Sequence, residues 1–295
     1  MKKILTILAL ATVAVCCGGA NYYRELLMLP RVVAGGGDTY YTDPYAANLI
    51  ARYDFDATAW TNDVTANGFH LMLFNPFGAT ITNSIVGTNQ LGRVEKALNI
   101  VSGNPAPRYV TTSATVGAWS NEETVASYWI YRERTNTLEY MYAFGSTNDI
   151  ADIMFHAVPA NQYYMSVTVR SNANTLSSDG YPTSTNPTNA ILPNAWTHVC
   201  ELRSKTAGSL IWINGLRLDP ASASSEYRKY TFADVVRRSI TAGKNPAFSL
   251  GNDPAREQAV NGKLDNARIY NSATATNNIA WLYQYTHPTN NLETR

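Results

Sequence analysis

From about residue 47 onward, short runs rich in β-branched and aromatic residues follow one another with no long amphipathic helix between them. They are LIARYDF, FHLMLF, RYVTT, TVASYWIYR, LEYMYAFG, ADIMFHAV, YYMSVTV, WTHVCEL, SLIWING, FSLG and LDNARIY. Clusters of Asn, Gly, Pro, Ser and Thr separate them, which is strand-and-turn chemistry. Parallel strands need long crossovers, usually helical, and this chain offers none, so the strands must pair antiparallel. The pattern predicts an all-β fold, an antiparallel sandwich or jelly roll. One good helical pattern closes it, TATNNIAWLYQY, with Ile279, Leu282 and Tyr283 at i, i+3 and i+4. No internal repeat splits the run, so residues 47–285 read as one domain, with a tail at 286–295.

The N-terminus obeys different rules. MKK is a basic start, ILTILALATVAV an apolar core and CCGGA a small-residue cleavage region, so residues 1–20 read as a signal peptide cut before Asn21. The apolar run falls short of the roughly 20 residues that span a bilayer. Export outside the cytoplasm is expected, with no transmembrane span in the mature chain. Lipid anchoring at Cys16 or Cys17 is the lesser alternative, because the residues before them are not the small ones such sites use. After cleavage Cys200 alone remains; it cannot form an internal disulfide and reads as a small buried hydrophobe. Residues 21–46 form an arm: NYYRELLMLP, a helical turn or two ended by Pro30, then VVAGGGD as a flexible link. Leu26, Leu27 and Leu29 either pack back on the domain or dock a partner.

Composition narrows the function. The formal charge is +1, which gives no long-range pull toward nucleic acid. Charged residues are 15% of the chain, while 19 Tyr and 6 Trp suit sheets with polar, adhesive surfaces. The histidines, His70, His156, His198 and His287, have no metal-ligand spacing on one element. No Gly-x-Ser-x-Gly elbow or phosphate-cradling loop is present.

One segment is odd. If LDNARIY is a regular strand, Asp265 shares a face with Ala267 and Ile269, while Asn266, Arg268 and Tyr270 share the other. An acid in phase with buried apolar residues must be neutralised, hydrogen-bonded or bound to a cation.

Several landmarks, in order, resemble the concanavalin A-like, laminin G-like domains of exported bacterial proteins. LIARYDFDA resembles their opening strand, and TNDVTANGFH an Asp-Ser-Gly-Asn-Gly segment with Asp63, Asn67 and Gly68 in place. GRVEKALNI, TVASYWIY, AWTHVCEL and SLIWINGLRL resemble inner strands, and VNGKLDNARIYNSATATNNIAWLY the closing strand and helix. The resemblance covers about residues 48–284. It departs where Ala275 stands in place of the usual Ser helix cap, leaving Thr274 or Thr276 to serve, and where Val260 replaces an aromatic. It implies that Asp265, where the last strand pairs near the first, helps hold a structural calcium ion, with Asp54 or Asp56 approaching from the first strand. Capping of Asp265 by loop amides is the alternative.

The same architecture houses glycosidases, which need two carboxylates about 5 Å apart. Glu122 and Glu123 are adjacent and face opposite sides, Glu133 and Glu139 flank a turn, and Asp149 and Asp152 lie near a loop. Each reads as a solvated strand edge, so no catalytic residue is expected. Binding remains: Trp60, Trp119, Tyr163, Tyr164 and Tyr181 are loop aromatics able to stack on sugar, and the loop NDPAREQAVNG adds Asn252, Asp253, Arg256 and Asn261. The expectation is an exported recognition domain for glycan or a surface protein. The alternatives are a structural subunit of a surface layer, filament or appendage that self-associates through residues 21–46, and a glycoside hydrolase-like enzyme.

Overall fold

The computed structural model describes residues 32–33, 39–40, 42–74, 82–88, 93–100, 106–110, 115–133, 137–146, 152–158, 165–171, 174–181, 190–218, 229–252 and 259–289. The signal-peptide, lipidation and arm-helix readings, and Tyr163, Tyr164, Asp253 and Arg256, lie outside them. Within the arm, Val32–Val33 (β1) pairs antiparallel with Thr39–Tyr40 (β2), where the sequence reads as a link.

The remaining strands are Leu49–Tyr53 (β3), Met72–Phe74 (β4), Thr82–Thr88 (β5), Val94–Ile100 (β6), Ala106–Val110 (β7), Glu123–Arg132 (β8), Glu139–Ser146 (β9) and Asp152–Val158 (β10). Then come Met165–Ser171 (β11), Asn174–Tyr181 (β12), Trp196–Ser204 (β13), Gly208–Ile213 (β14), Leu216–Leu218 (β15), Pro246–Leu250 (β16) and Gly262–Tyr270 (β17). They form two antiparallel sheets, a 7-stranded one in the order β12-β11-β10-β9-β16-β7-β4 and an 8-stranded one in the order β15-β14-β13-β8-β17-β6-β5. The all-β sandwich expected from the pattern is the fold. β5 and β12 had no apolar run to betray them: TNSIVGT and NTLSSDGY are mostly small and polar and sit at sheet edges, where a strand needs only one neighbour.

Period-2 alternation decides what each strand buries. On β8, Ala126, Tyr128 and Ile130 enter the core between the sheets, with Val199, Ile211 and Ile213 from β13 and β14. The residues between them face outward, yet that side is not left to water. Val125, Cys200, Leu202 and Tyr270 form a second cluster with Ile279, Trp281 and Leu282. The closing helix Ile279–Tyr285 (α2) lies across this outer face, following a 3-10 turn at Ala273–Asn278. Ser272 caps that 3-10 turn by accepting the Thr274 amide, a place that the sequence reading assigns to Thr274 or Thr276. The cover continues into the expected tail: Thr286 is buried, accepting a hydrogen bond from Trp129 Nε1 at 2.9 Å and from Asn266 Nδ2 at 2.9 Å. At the other boundary Asp43, inside the expected arm, accepts from Tyr270 Oη at 2.6 Å and Arg268 Nη1 at 3.3 Å.

Besides the expected C-terminal helix the fold holds a second one, Phe232–Thr241 (α1), which the strand pattern did not reveal. Thr231 caps it, and Asp234 in its third position reaches back to the Thr231 amide at 3.0 Å, a capping box. Gly243, at φ 70°, ends it in the left-handed conformation that glycine takes without penalty. Phe232, Val235 and Val236 face the core, and Phe232 stacks on Phe144 at 4.3 Å.

Candidate functional site

β17 lies between β8 on one side and two partners on the other. Gly262–Leu264 pair with β6, and Ala267–Tyr270 pair with β3. Asp265 and Asn266 sit at the seam where the partner changes. A β-bulge lies there: Asp265 stands opposite Trp129 and Arg268 opposite Ser127, leaving Asn266 and Ala267 across from Tyr128 alone. Asn266 takes φ 47° to make the bend.

The bulge corrects the reading of LDNARIY. Leu264, Ala267 and Ile269 all enter the inter-sheet core, so strict alternation is broken between the first two. Asp265 therefore points outward, on the Trp129 side, and is not in phase with Ala267 and Ile269. It is nonetheless 1% exposed. Its Oδ1 accepts the Asn266 amide at 2.7 Å, while its Oδ2 is buried with no hydrogen-bond partner. Burial pushes its carboxyl well above the usual carboxylate range, and the nearby charges of Asp56, Asp54 and Glu95 push the same way. The seam is a place where several acids crowd together out of water.

Asp54 and Asp56 come from the corner that follows β3. Between them Phe55, a buried aromatic, is held at φ 58°, a left-handed conformation that costs roughly 1–2 kcal/mol. Arg52 Nε donates to Asp54 Oδ1 at 2.7 Å, and the Lys96 amide donates to Asp56 Oδ1 at 2.6 Å, tying the corner to β6. The corner opens into a cleft of about 590 Å³ whose walls include Arg52, Asp54, Asp56, Trp60 and Asn62. Trp60 is half-buried and packs against Phe55, 6.4 Å between ring centroids. Its volume is within the range of small-ligand sites.

The far wall is held by Asp63. Its Oδ1 accepts the Arg52 and Thr65 amides at 3.0 and 2.9 Å. Its Oδ2 accepts Thr65 Oγ1 at 2.7 Å and the Phe69 amide at 3.0 Å. Asn67 Nδ2 donates to the Ile50 carbonyl at 2.7 Å, and Gly68 supplies φ 69°. The TNDVTANGFH segment is thus a clamp that fixes the loop to β3.

The other aromatic and polar candidates scatter. Trp119 is fully buried between Phe69, Phe144, Phe232 and Phe248, so it is core and not a sugar platform. The short 3-10 turn Val116–Trp119 carries it inward, which a loop reading could not anticipate. Asn252 is also buried. The Asn261 amide donates to Glu139 Oε1 at 3.2 Å. Tyr181 ends β12 at the edge of the other sheet, on a different part of the fold from Trp60. Glu139 is not a solvated edge; it is fully buried and paired with Arg132 Nε at 2.6 Å.

His198 Nε2 lies 2.9 Å from Ser127 Oγ, both buried beneath Trp129 and Tyr283. Its Nδ1 has no partner, and burial with the Arg268 charge holds its pKa down to about 3. A neutral imidazole sealed from solvent with no acid behind it is a packed core group.

Among the described residues no three His, Cys, Asp or Glu side chains are grouped as a cation's ligand set. The unpaired Oδ2 of Asp265, beside Asp56 and Asp54, nonetheless has the chemistry a hard cation satisfies.

The family model for the concanavalin A-like lectin/glucanases superfamily, of laminin G type, matches residues 102–280. The chain belongs to this superfamily. No curated protein matches it in sequence. Among solved structures, domain 4 of AbnA, a GH43 extracellular arabinanase from Geobacillus stearothermophilus in complex with arabinotriose, is similar at TM-score 0.54 and 19% identity, over 79% of this chain and 98% of that one. The binding domain of botulinum neurotoxin DC, in complex with rat synaptotagmin II, is similar at TM-score 0.51 and 14% identity, over 84% of this chain and 55% of that one. The receptor-binding domain of the botulinum neurotoxin C/D mosaic serotype matches at TM-score 0.50 and 11% identity, over 81% and 51%. The chain thus spans about half of each neurotoxin binding domain, and at these identities the likeness is one of fold. No helix among the described residues is long and apolar enough to cross a membrane.

Proposed function

We propose that this chain is an exported, non-catalytic recognition module that binds glycan through the cleft at Trp60. The observation that carries the reading is the strained Asp54–Phe55–Asp56 corner opening beside a half-buried tryptophan. Backbone strain in a bulky residue persists where the surroundings impose it, and such residues cluster at ligand sites. An indole face offers a sugar ring a stacking surface, and the flanking carboxylates and the Asn62 amide offer hydroxyl partners. Support also comes from the arabinotriose complex of the AbnA domain. The MKK-to-CCGGA segment supports export, and a secreted form beginning at Asn21 is its check.

A structural calcium ion belongs to the same proposal. Asp265, Asp56 and Asp54 would hold it, with carbonyls and water completing the shell, and its charge would offset the crowded acids at the seam. Arabinotriose titrated into the full chain, followed by Trp fluorescence and calorimetry, tests the glycan reading. Binding is expected, lost in Trp60→Ala with the melting temperature held within a few degrees. A chain that binds no neutral oligosaccharide, or a Trp60→Ala chain that binds as before, overturns it. For the ion, calcium is expected to raise the melting temperature of the parent but not of Asp265→Asn.

A further inference from the structure

A second cleft lies at the other end of the 8-stranded sheet, in the β14–β15 hairpin. Ile211 and Ile213 on β14 are fully buried in the inter-sheet core. Trp212 between them therefore faces outward, and it is only half-buried. It stands directly opposite Arg217 across the hairpin. The turn that joins them is Asn214-Gly215, at φ 51° and 77°, an Asn-Gly pair suited to the tight turn that keeps Trp212 and Arg217 in register. Facing this pair is the start of the closing helical segment, which brings Thr276, Asn277 and Ile279. The space between hairpin and helix is about 330 Å³, at the lower end of ligand-site volumes and fit for one or two sugar units.

Its chemistry is the reverse of the Trp60 cleft. Among the described residues that line it none carries a carboxylate, and the ionised side chain among them is Arg217, exposed at the rim. A guanidinium recognises a carboxylate through paired hydrogen bonds. Thr276 and Asn277 supply hydroxyl and amide groups for sugar hydroxyls, and the Trp212 ring supplies the apolar wall. We propose that this cleft is a second binding site, for a carboxylate-bearing sugar, separate from the Trp60 site by charge and by place. Trp60 lies beyond β17 on the β3 side, with β13 and β8 between β14 and β17.

Two probes share the carboxylate and separate its sources: tetragalacturonate for uronic acids and 3′-sialyllactose for sialic acids. Lactose is the neutral control. The full chain is expected to bind one acidic probe and to prefer it to lactose. Arg217→Gln is expected to weaken that binding at least about tenfold, the loss of a charge-assisted pair. The affinity should also fall as salt is raised. Trp212→Ala is expected to weaken it similarly, and because Trp212 packs near Ile279 its melting temperature is recorded alongside. Arg217 is at the surface, so Arg217→Gln decides the matter should Trp212→Ala fail to fold. Trp60→Ala is expected to leave acidic-sugar binding unchanged, which separates failure here from failure of the first site. Absence of binding to both acidic probes, binding equal to that of lactose, or binding that Arg217→Gln leaves intact overturns the proposal.

Discussion

Asp63 and Asp265 are both aspartates shut away from water, at 4% and 1% exposure, yet their surroundings differ sharply. Asp63 receives four hydrogen bonds, from the Arg52, Thr65 and Phe69 amides and the Thr65 hydroxyl. Asp265 receives one, from the amide of the very next residue, and its second oxygen has none. The first is a keystone that organises a loop, since a buried carboxylate supplied with donors is as content as in water. The second is a cost borne by the fold where β17 changes partners, placed among other acids instead of donors. A buried charge therefore says little until its partners are counted.

The comparison breaks most readily at Asp63. Asp63→Ala strands several donors at once and is expected to cost about 3–5 kcal/mol, read from urea unfolding midpoints. A loss under about 1 kcal/mol would mean that the clamp is decorative. Asp265→Asn should go the other way. In a chelating buffer it replaces a carboxyl that burial and its acidic neighbours hold back from ionising with a neutral amide able to donate to those neighbours, so stability is expected to rise by about 1–3 kcal/mol. A fall of that size in chelator would show that Asp265 is already well served.

Acid pH sharpens the contrast on the outer face that carries Asp265. Burial, helped by Arg268, holds His198 neutral down to about 3, against an ordinary value of 6.5. The unfolded chain takes up this proton first, so stability is expected to fall as pH drops from 6.5 toward 3. The slope from this one group approaches about 1.4 kcal/mol per pH unit. His287, lowered by burial, adds in the same direction. Unfolding midpoints across the window, with His198→Gln for comparison, should show a shallower slope in the variant; equal slopes would remove His198 from the account. The smallest effect is expected at Asn266→Gly. Glycine relieves the φ 47° strain but gives up the bond to the Thr286 carbonyl, so the net change should stay within about 1 kcal/mol. A larger loss would place the seam's stability in that one bond.

Much of the fold was legible because period-2 alternation and turn chemistry are local signals. α1 also leaves a local mark: Thr231 and Asp234 are a capping box just before Val235 and Val236. The segment is short and follows a strand-rich stretch, so its helical period was hidden among strands. The inverted phase of Asp265 was not legible, since a bulge inserts its extra residue without altering the composition of the strand. Trp119 illustrates the same limit. Whether a loop aromatic turns in or out depends on the distant rings that receive it, here Phe144, Phe232 and Phe248. Trp60 and Asp54 are each candidates on sequence alone. That they share one cleft with Asn62 emerges only from the corner at Phe55, and the Trp212–Arg217 cleft depends on the closing helix that walls it.

β17 is the final one of the described strands in chain order, yet it runs through the middle of its sheet, between β8 and the pair β6 and β3. A growing polypeptide that stops short of residue 262 has a gap where its central ladder belongs. Large β structures already form slowly because distant segments must meet. Here the strand that joins the halves lies far along the chain from β8, so the sheet closes only once that distant segment has docked.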